Sequence, residues 1–270
     1  MAWTTASALW RSLSPFGTAI ELNGLKNGLA LLLFLPFLIS LPWTDQGGAI
    51  ALLLLSGLIG IAAGDSCYLG GLRRLGTQRA LTVEAMGPVM ASLGVLMMGD
   101  TVRPASWAGA MLVSSAVVLV AKQAKASLST NGTALGLLLC VLAVMCGLSG
   151  AFLSRHVLIT SALTPMQSAA IRLLGGWLGL LPLLRGRLLP QQLPIGVMPK
   201  VVLATLLGTN LGIVLQQVVF QTLPVGQGIT LMSTAPVMAL FLHRLEGESL
   251  QWQGIVAGLF AVFGVALSSL

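Results

Sequence analysis

The chain has 270 residues, of which 56% are apolar and only 8% charged. Soluble domains carry roughly 25% charged residues, so this composition excludes a water-wetted globular surface and requires one that faces lipid. The formal charge of +7 does not indicate a nucleic-acid partner, because the basic residues stand singly or in pairs between apolar runs and form no cluster.

Apolar runs of about 20 residues match the thickness of a bilayer core. In hydrocarbon each backbone N–H and C=O must pair within its own segment, so these runs are expected to be helices. Residues 2–13 come first. They are apolar but short, end near Arg11, and read as the tail of a helix whose beginning is missing. Nine full spans follow, predicted at 24–43, 49–72, 79–98, 105–121, 132–154, 166–184, 200–222, 226–243 and 251–268. Between them lie Gly, Pro and charged punctuation: Pro42–Gly48, Arg73–Gly76, Asp100–Pro104, Lys122–Asn131, Thr164–Pro165, Arg185–Pro199 and Glu246–Ser249. The first long run has no small-residue cleavage pattern after it, so no cleavable signal peptide is expected. Cys67, Cys140 and Cys146 all sit inside apolar runs, with neither a C-x-x-C nor a histidine at ligand spacing. They are expected to pack as small apolar residues, with no metal and no cofactor.

The two halves repeat at a step of 148 residues, the separation of Gly60 and Gly208. Gly64 meets Gly212 at that step, Pro88-Val89-Met90-Ala91 meets Pro236-Val237-Met238-Ala239, and Gly99-Asp100 meets Gly247-Glu248. The expected fold is an all-α integral membrane protein of two five-helix repeats, 1–125 and 126–270, with the first helix truncated. Five helices per half force the copies into opposite orientations. Inverted repeats of this kind place solute sites at their interface in secondary transporters.

These features resemble the EamA-like family of the drug/metabolite transporter superfamily. The likeness rests on Gly60-x-x-x-Gly64, Leu72-Arg73-Arg74-Leu75-Gly76, Glu84-Ala85-Met86-Gly87-Pro88 and Gly99-Asp100 in the first half. In the second half it rests on Leu223-Pro224-Val225-Gly226, Ser233-Thr234-Ala235-Pro236 and Gly247-Glu248-Ser249-Leu250. The resemblance implies movement of amino acids, metabolites or drugs across a cell (inner) membrane by a multi-pass protein. It also implies that both chain ends lie in the cytoplasm, and here the charges disagree. One set of loops holds Arg11, Lys26, Arg73, Arg74, Arg79, Lys122, Lys125, Arg185, Arg187, Lys200 and Arg244, the other only Arg103 and Arg155. The positive-inside rule puts the rich side in the cytoplasm and the C-terminus outside, and this property of the chain itself is preferred.

A carboxylate within a span is costly and normally faces a cavity or a partner. Glu84, four residues before Pro88, is thus a candidate for proton or substrate-amine binding, against the blander reading of a snorkelling partner of Arg79. Asp65, with Tyr68 at i+3, forms a candidate polar cluster, against pairing with Arg73 or Arg74. Arg172 is the one basic residue placed well inside a span, suited to a carboxylate solute or a structural acid. Asn210, Gln216, Gln217 and Gln227 offer amides either to a cavity or to neighbouring helices. Pro88 and Pro236 are candidate hinges, since a proline removes a helix hydrogen bond.

Three motifs carry little. Gly147-Leu148-Ser149-Gly150 spells the G-x-S-G of intramembrane proteases but lacks a histidine on a facing helix. The sequon Asn131-Gly132-Thr133 falls on the cytoplasmic side, and Met97-Met98 reads as packing. The partners expected are the lipid bilayer and a small-molecule substrate, with protons and a homodimer as further candidates. A lipid-processing enzyme would need paired carboxylates that the dispersed acids do not supply. A non-transporting scaffold is the third reading.

Overall fold

The computed structural model describes residues 2–84, 86–97, 103–125, 130–184, 186, 190, 193–223, 225–232 and 252–269. Every element among them is helical. They are α1 (Ala2–Leu13), α2 (Ala19–Ile39), α3 (Gly47–Leu75), α4 (Thr77–Glu84), α5 (Gly87–Met97) and α6 (Pro104–Lys125). The second half supplies α7 (Thr130–Thr160), α8 (Pro165–Leu184), α9 (Ile195–Thr222), α10 (Val225–Met232) and α11 (Trp252–Ser269). Five of these helices are long and apolar enough to cross a membrane among the described residues: α2, α3, α7, α8 and α9. Their outer faces carry bare apolar side chains such as Leu32 and Ile39, as lipid in place of water demands. This is a multi-pass membrane protein.

The step of 148 residues reappears in the helices. Thr77–Glu84 maps residue for residue onto Val225–Met232, and Gly47–Leu75 falls within one residue of Ile195–Thr222. Pro104 and Trp252, which open α6 and α11, are also 148 apart. Both α3 and α9 widen into a π-helical stretch near their middles, at Leu58–Asp65 and Thr205–Leu211. A π turn exposes carbonyls that a regular helix would use, and often marks a functional site. Asn23 on α2 meets one of them, its Nδ2 donating to the Ile61 carbonyl at 2.9 Å and to Ser66 Oγ at 2.9 Å.

Counterpart helices pack together: α2 against α8 and α6 against α11, while α3 crosses both α7 and α8. The α3–α8 crossing is backbone on backbone. A Cβ added at Gly57 would lie 1.9 Å from the Arg172 carbonyl oxygen, and one at Gly175 would lie 2.2 Å from that of Leu54. In lipid, where no hydrophobic effect drives helices together, such small-residue contact is what binds them.

Contacts also fix which helix ends share a face. Arg73 Nη1, near the end of α3, donates to the Gly17 carbonyl at 2.7 Å. A Cβ on Gly17 would lie 3.0 Å from Pro190, just ahead of α9. At the opposite face Arg155, near the end of α7, donates to the carbonyls of Phe220 and Leu223 that close α9.

The span predicted at 79–98 is interrupted. Met86 N–H bonds the Val83 carbonyl at 3.0 Å, closing α4, and Met90 N–H bonds that of Met86 at 3.0 Å, starting α5. Pro88 has no N–H to give the Glu84 carbonyl. It therefore breaks the helix into two segments where a single bent one was expected. Pro236, Gly247 and Glu248 lie outside the described residues.

Candidate functional site

A cavity of about 430 Å³ opens among α1 to α5 and α7 to α10, within the range of roughly 300–1,000 Å³ common for small-molecule sites. Glu84, Asp65, Tyr68, Arg172 and Gln216 all line it. Sequence separations of up to 151 residues, Asp65 to Gln216, are thus closed by the fold. Asn210 does not join them. Its Nδ2 donates to the Ala30 carbonyl at 3.1 Å and ties α9 to α2. The side chain of Gln227 lies outside the described set.

Each of the five lining side chains makes at least one definite contact. Trp3 Nε1 donates to Glu84 Oε2 at 3.3 Å, so the carboxylate is held by α1, not by Arg79. The Trp3 ring stacks on Tyr68 with centroids 5.7 Å apart. The Tyr68 hydroxyl donates to Ser7 Oγ at 2.8 Å, and Ser7 Oγ donates to the Trp3 carbonyl at 2.9 Å. Arg172 Nη1 donates to Gln216 Oε1 at 3.1 Å. Gln217, one residue on, turns away to a buried hydroxyl pair, accepting from Ser154 and from Ser168 Oγ.

Asp65 pairs with Lys26, not with Arg73 or Arg74. Arg74 Nη1 instead bonds the Gly70 carbonyl at 2.7 Å. Lys26, at the edge of the span predicted at 24–43, was counted with the loop charges but lies well inside α2. Its side chain is 5% exposed, which removes it from the loop charges that set orientation. A readable signal existed. Thr18-Ala19-Ile20-Glu21 is a capping box: Glu21 N–H bonds Thr18 Oγ1 at 3.2 Å, and Thr18 N–H bonds Glu21 Oε2 at 2.8 Å. The helix therefore starts at Ala19 and buries Lys26 about 10 Å along, at 1.5 Å per residue. Trp3 and Ser7 were missed because residues 2–13 read as a remnant.

The lining pairs positions across the two halves. Gly60, Gly64, Tyr68 and Glu84 face the cavity, and so do Gly208, Gly212, Gln216 and Met232, each 148 residues further on. The model of the EamA-like transporter family matches residues 1–122 and 134–270. The chain belongs to the EamA-like transporter family. No curated protein matches the sequence. A protein known from its crystal structure shares the fold of this EamA-like chain at 18% identity, with a TM-score of 0.67 over 99% of this chain and 95% of that one. EamA-like membership makes this a membrane transporter, and the cavity is its candidate solute site.

Proposed function

We propose that this EamA-like protein is a secondary transporter of small organic solutes, such as amino acids, metabolites or drugs, working by alternating access in the cell (inner) membrane. The observation that carries the reading is the cavity lined by equivalent positions of both halves. Two inverted five-helix repeats, 1–125 and 126–270, account for that lining. The end of α3 and the start of α9 share one face, as helices of opposite direction should. Such a cavity sits at the repeat interface, where rocking of one half against the other opens it to each side in turn. The basic loops, without Lys26, still favour the face bearing Arg11, Arg73 and Arg74 as cytoplasmic.

Glu84 is the proposed proton carrier. It is the one cavity acid free of a basic partner among the described residues, and its Trp3 contact survives as Gln, which keeps an acceptor oxygen. In proteoliposomes Glu84→Gln should still exchange solute across the membrane yet lose accumulation driven by a pH gradient. The comparison is the double variant Lys26→Met with Asp65→Asn, which removes the other carboxylate without leaving a lone charge. Accumulation retained by Glu84→Gln but lost by the double variant would move the proton role to Asp65.

A further inference from the structure

We infer that the solute carries a carboxylate, and that Arg172, oriented by Gln216, is its anchor. This deepens the transporter reading above and rests on it.

The argument starts from an unbalanced charge. Arg172 is 3% exposed. A guanidinium offers five N–H donors. Among the described residues Gln216 Oε1 is its one hydrogen-bond acceptor, and Nε is buried without a partner. A buried cation left in this state is expensive unless an anion completes it. Neither of the cavity's own acids touches it, and Asp65 acts on it only through space. Asp65 is taken by Lys26, the only ion pair among the described lining residues, and Glu84 is held by Trp3.

The surroundings leave the guanidinium in place but unfilled. Cβ atoms added at Gly60 and Gly150 would come within 3.2 and 3.3 Å of Arg172 Nη2. The glycines thus leave a bare backbone seat against which Nη2 rests. Gln216, at 3.1 Å from Nη1, fixes the plane of the fork while adding no charge. A planar, oriented guanidinium with free donors at the wall of a 430 Å³ cavity is suited to bidentate capture of a carboxylate.

The test uses the purified full chain in detergent. Sodium acetate, lactate and benzoate are compared with acetamide, lactamide, benzamide and sodium chloride, by shift of the melting temperature. At least one carboxylate should stabilise the protein while its amide and chloride do not. Gln216→Glu then supplies an internal carboxylate at the same point. That variant should melt higher than the parent without ligand, and its apparent affinity for the carboxylate should fall at least tenfold. Inert carboxylates, an equal shift with sodium chloride, or a Gln216→Glu protein as responsive as the parent would each overturn the inference. Uptake of neutral or cationic solutes in proteoliposomes, with carboxylates inert, overturns it while leaving the transport reading intact. Carboxylate binding without carboxylate uptake supports the anchor and counts against transport.

Discussion

Asp65→Asn should destabilise the protein by about 3 to 5 kcal/mol, the usual cost of removing one partner of a buried ion pair. Lys26→Met should cost less. The exposures decide the order: the Lys26 side chain is 5% exposed and that of Asp65 24%, toward the cavity. A lysine deprived of its acid, though at the cavity wall, has far less water to meet than an aspartate deprived of its lysine. Combining the two changes removes both charges and should recover most of the loss, since desolvation then falls on neutral groups. Denaturation midpoints of the three variants, measured in mixed micelles, give the comparison. Single variants as stable as the parent would show that no buried pair exists.

Gly57→Ala should be nearly as damaging, from a single methyl group. Its Cβ would lie 1.9 Å from the Arg172 carbonyl oxygen and 2.7 Å from the carbonyl carbon. Backbone cannot swing aside as a side-chain tip can, so α3 and α8 must separate. Overpacking of this kind costs typically 1–3 kcal/mol and sometimes more, and here the upper end is expected. The same displacement moves Arg172 off its glycine seat, so solute binding should fall with stability. Gly147→Ala is the control, because a Cβ there meets nothing within 4 Å although the residue lines the cavity. Thermal melts of both variants check the pair. Equal melting temperatures would mean that the α3–α8 crossing is looser than described.

Much of this architecture can be read from the residues alone, because lipid imposes one rule on every span. Apolar run length sets helix length, so α7, α8 and α9 begin and end within a few residues of their expected limits, α7 running longer. The step of 148 residues was countable in the sequence because Gly60 and Gly64 meet Gly208 and Gly212, and it recurs in the described helix limits. What escaped was polarity that helices share across the fold. Hydropathy opened the first span at Gly24, five residues late, and left Lys26 at its edge among the loop charges. Asn23 and Asn27 are nonetheless fully buried, joined by a bond of 2.9 Å. Asn23 also bonds the Ile61 carbonyl and the Ser66 hydroxyl of α3, contacts across helices that no window average registers. The π stretches in α3 and α9 were invisible for the same reason. Asn210, Gln216 and Gln217 were indistinguishable as amides, and only the fold sends one to Ala30, one to Arg172 and one to Ser168.

The central claim is that one cavity serves both sides of the membrane in turn. Gly147 offers the most direct probe, since a side chain added there enters open space at the cavity wall. With Cys67, Cys140 and Cys146 replaced by Ala, a single Gly147→Cys protein is placed in proteoliposomes of known orientation. A membrane-impermeant thiol reagent is then supplied to one side at a time. Alternating access predicts that the thiol is labelled to completion from either side alone. Labelling from one side only, however long the exposure, would contradict it.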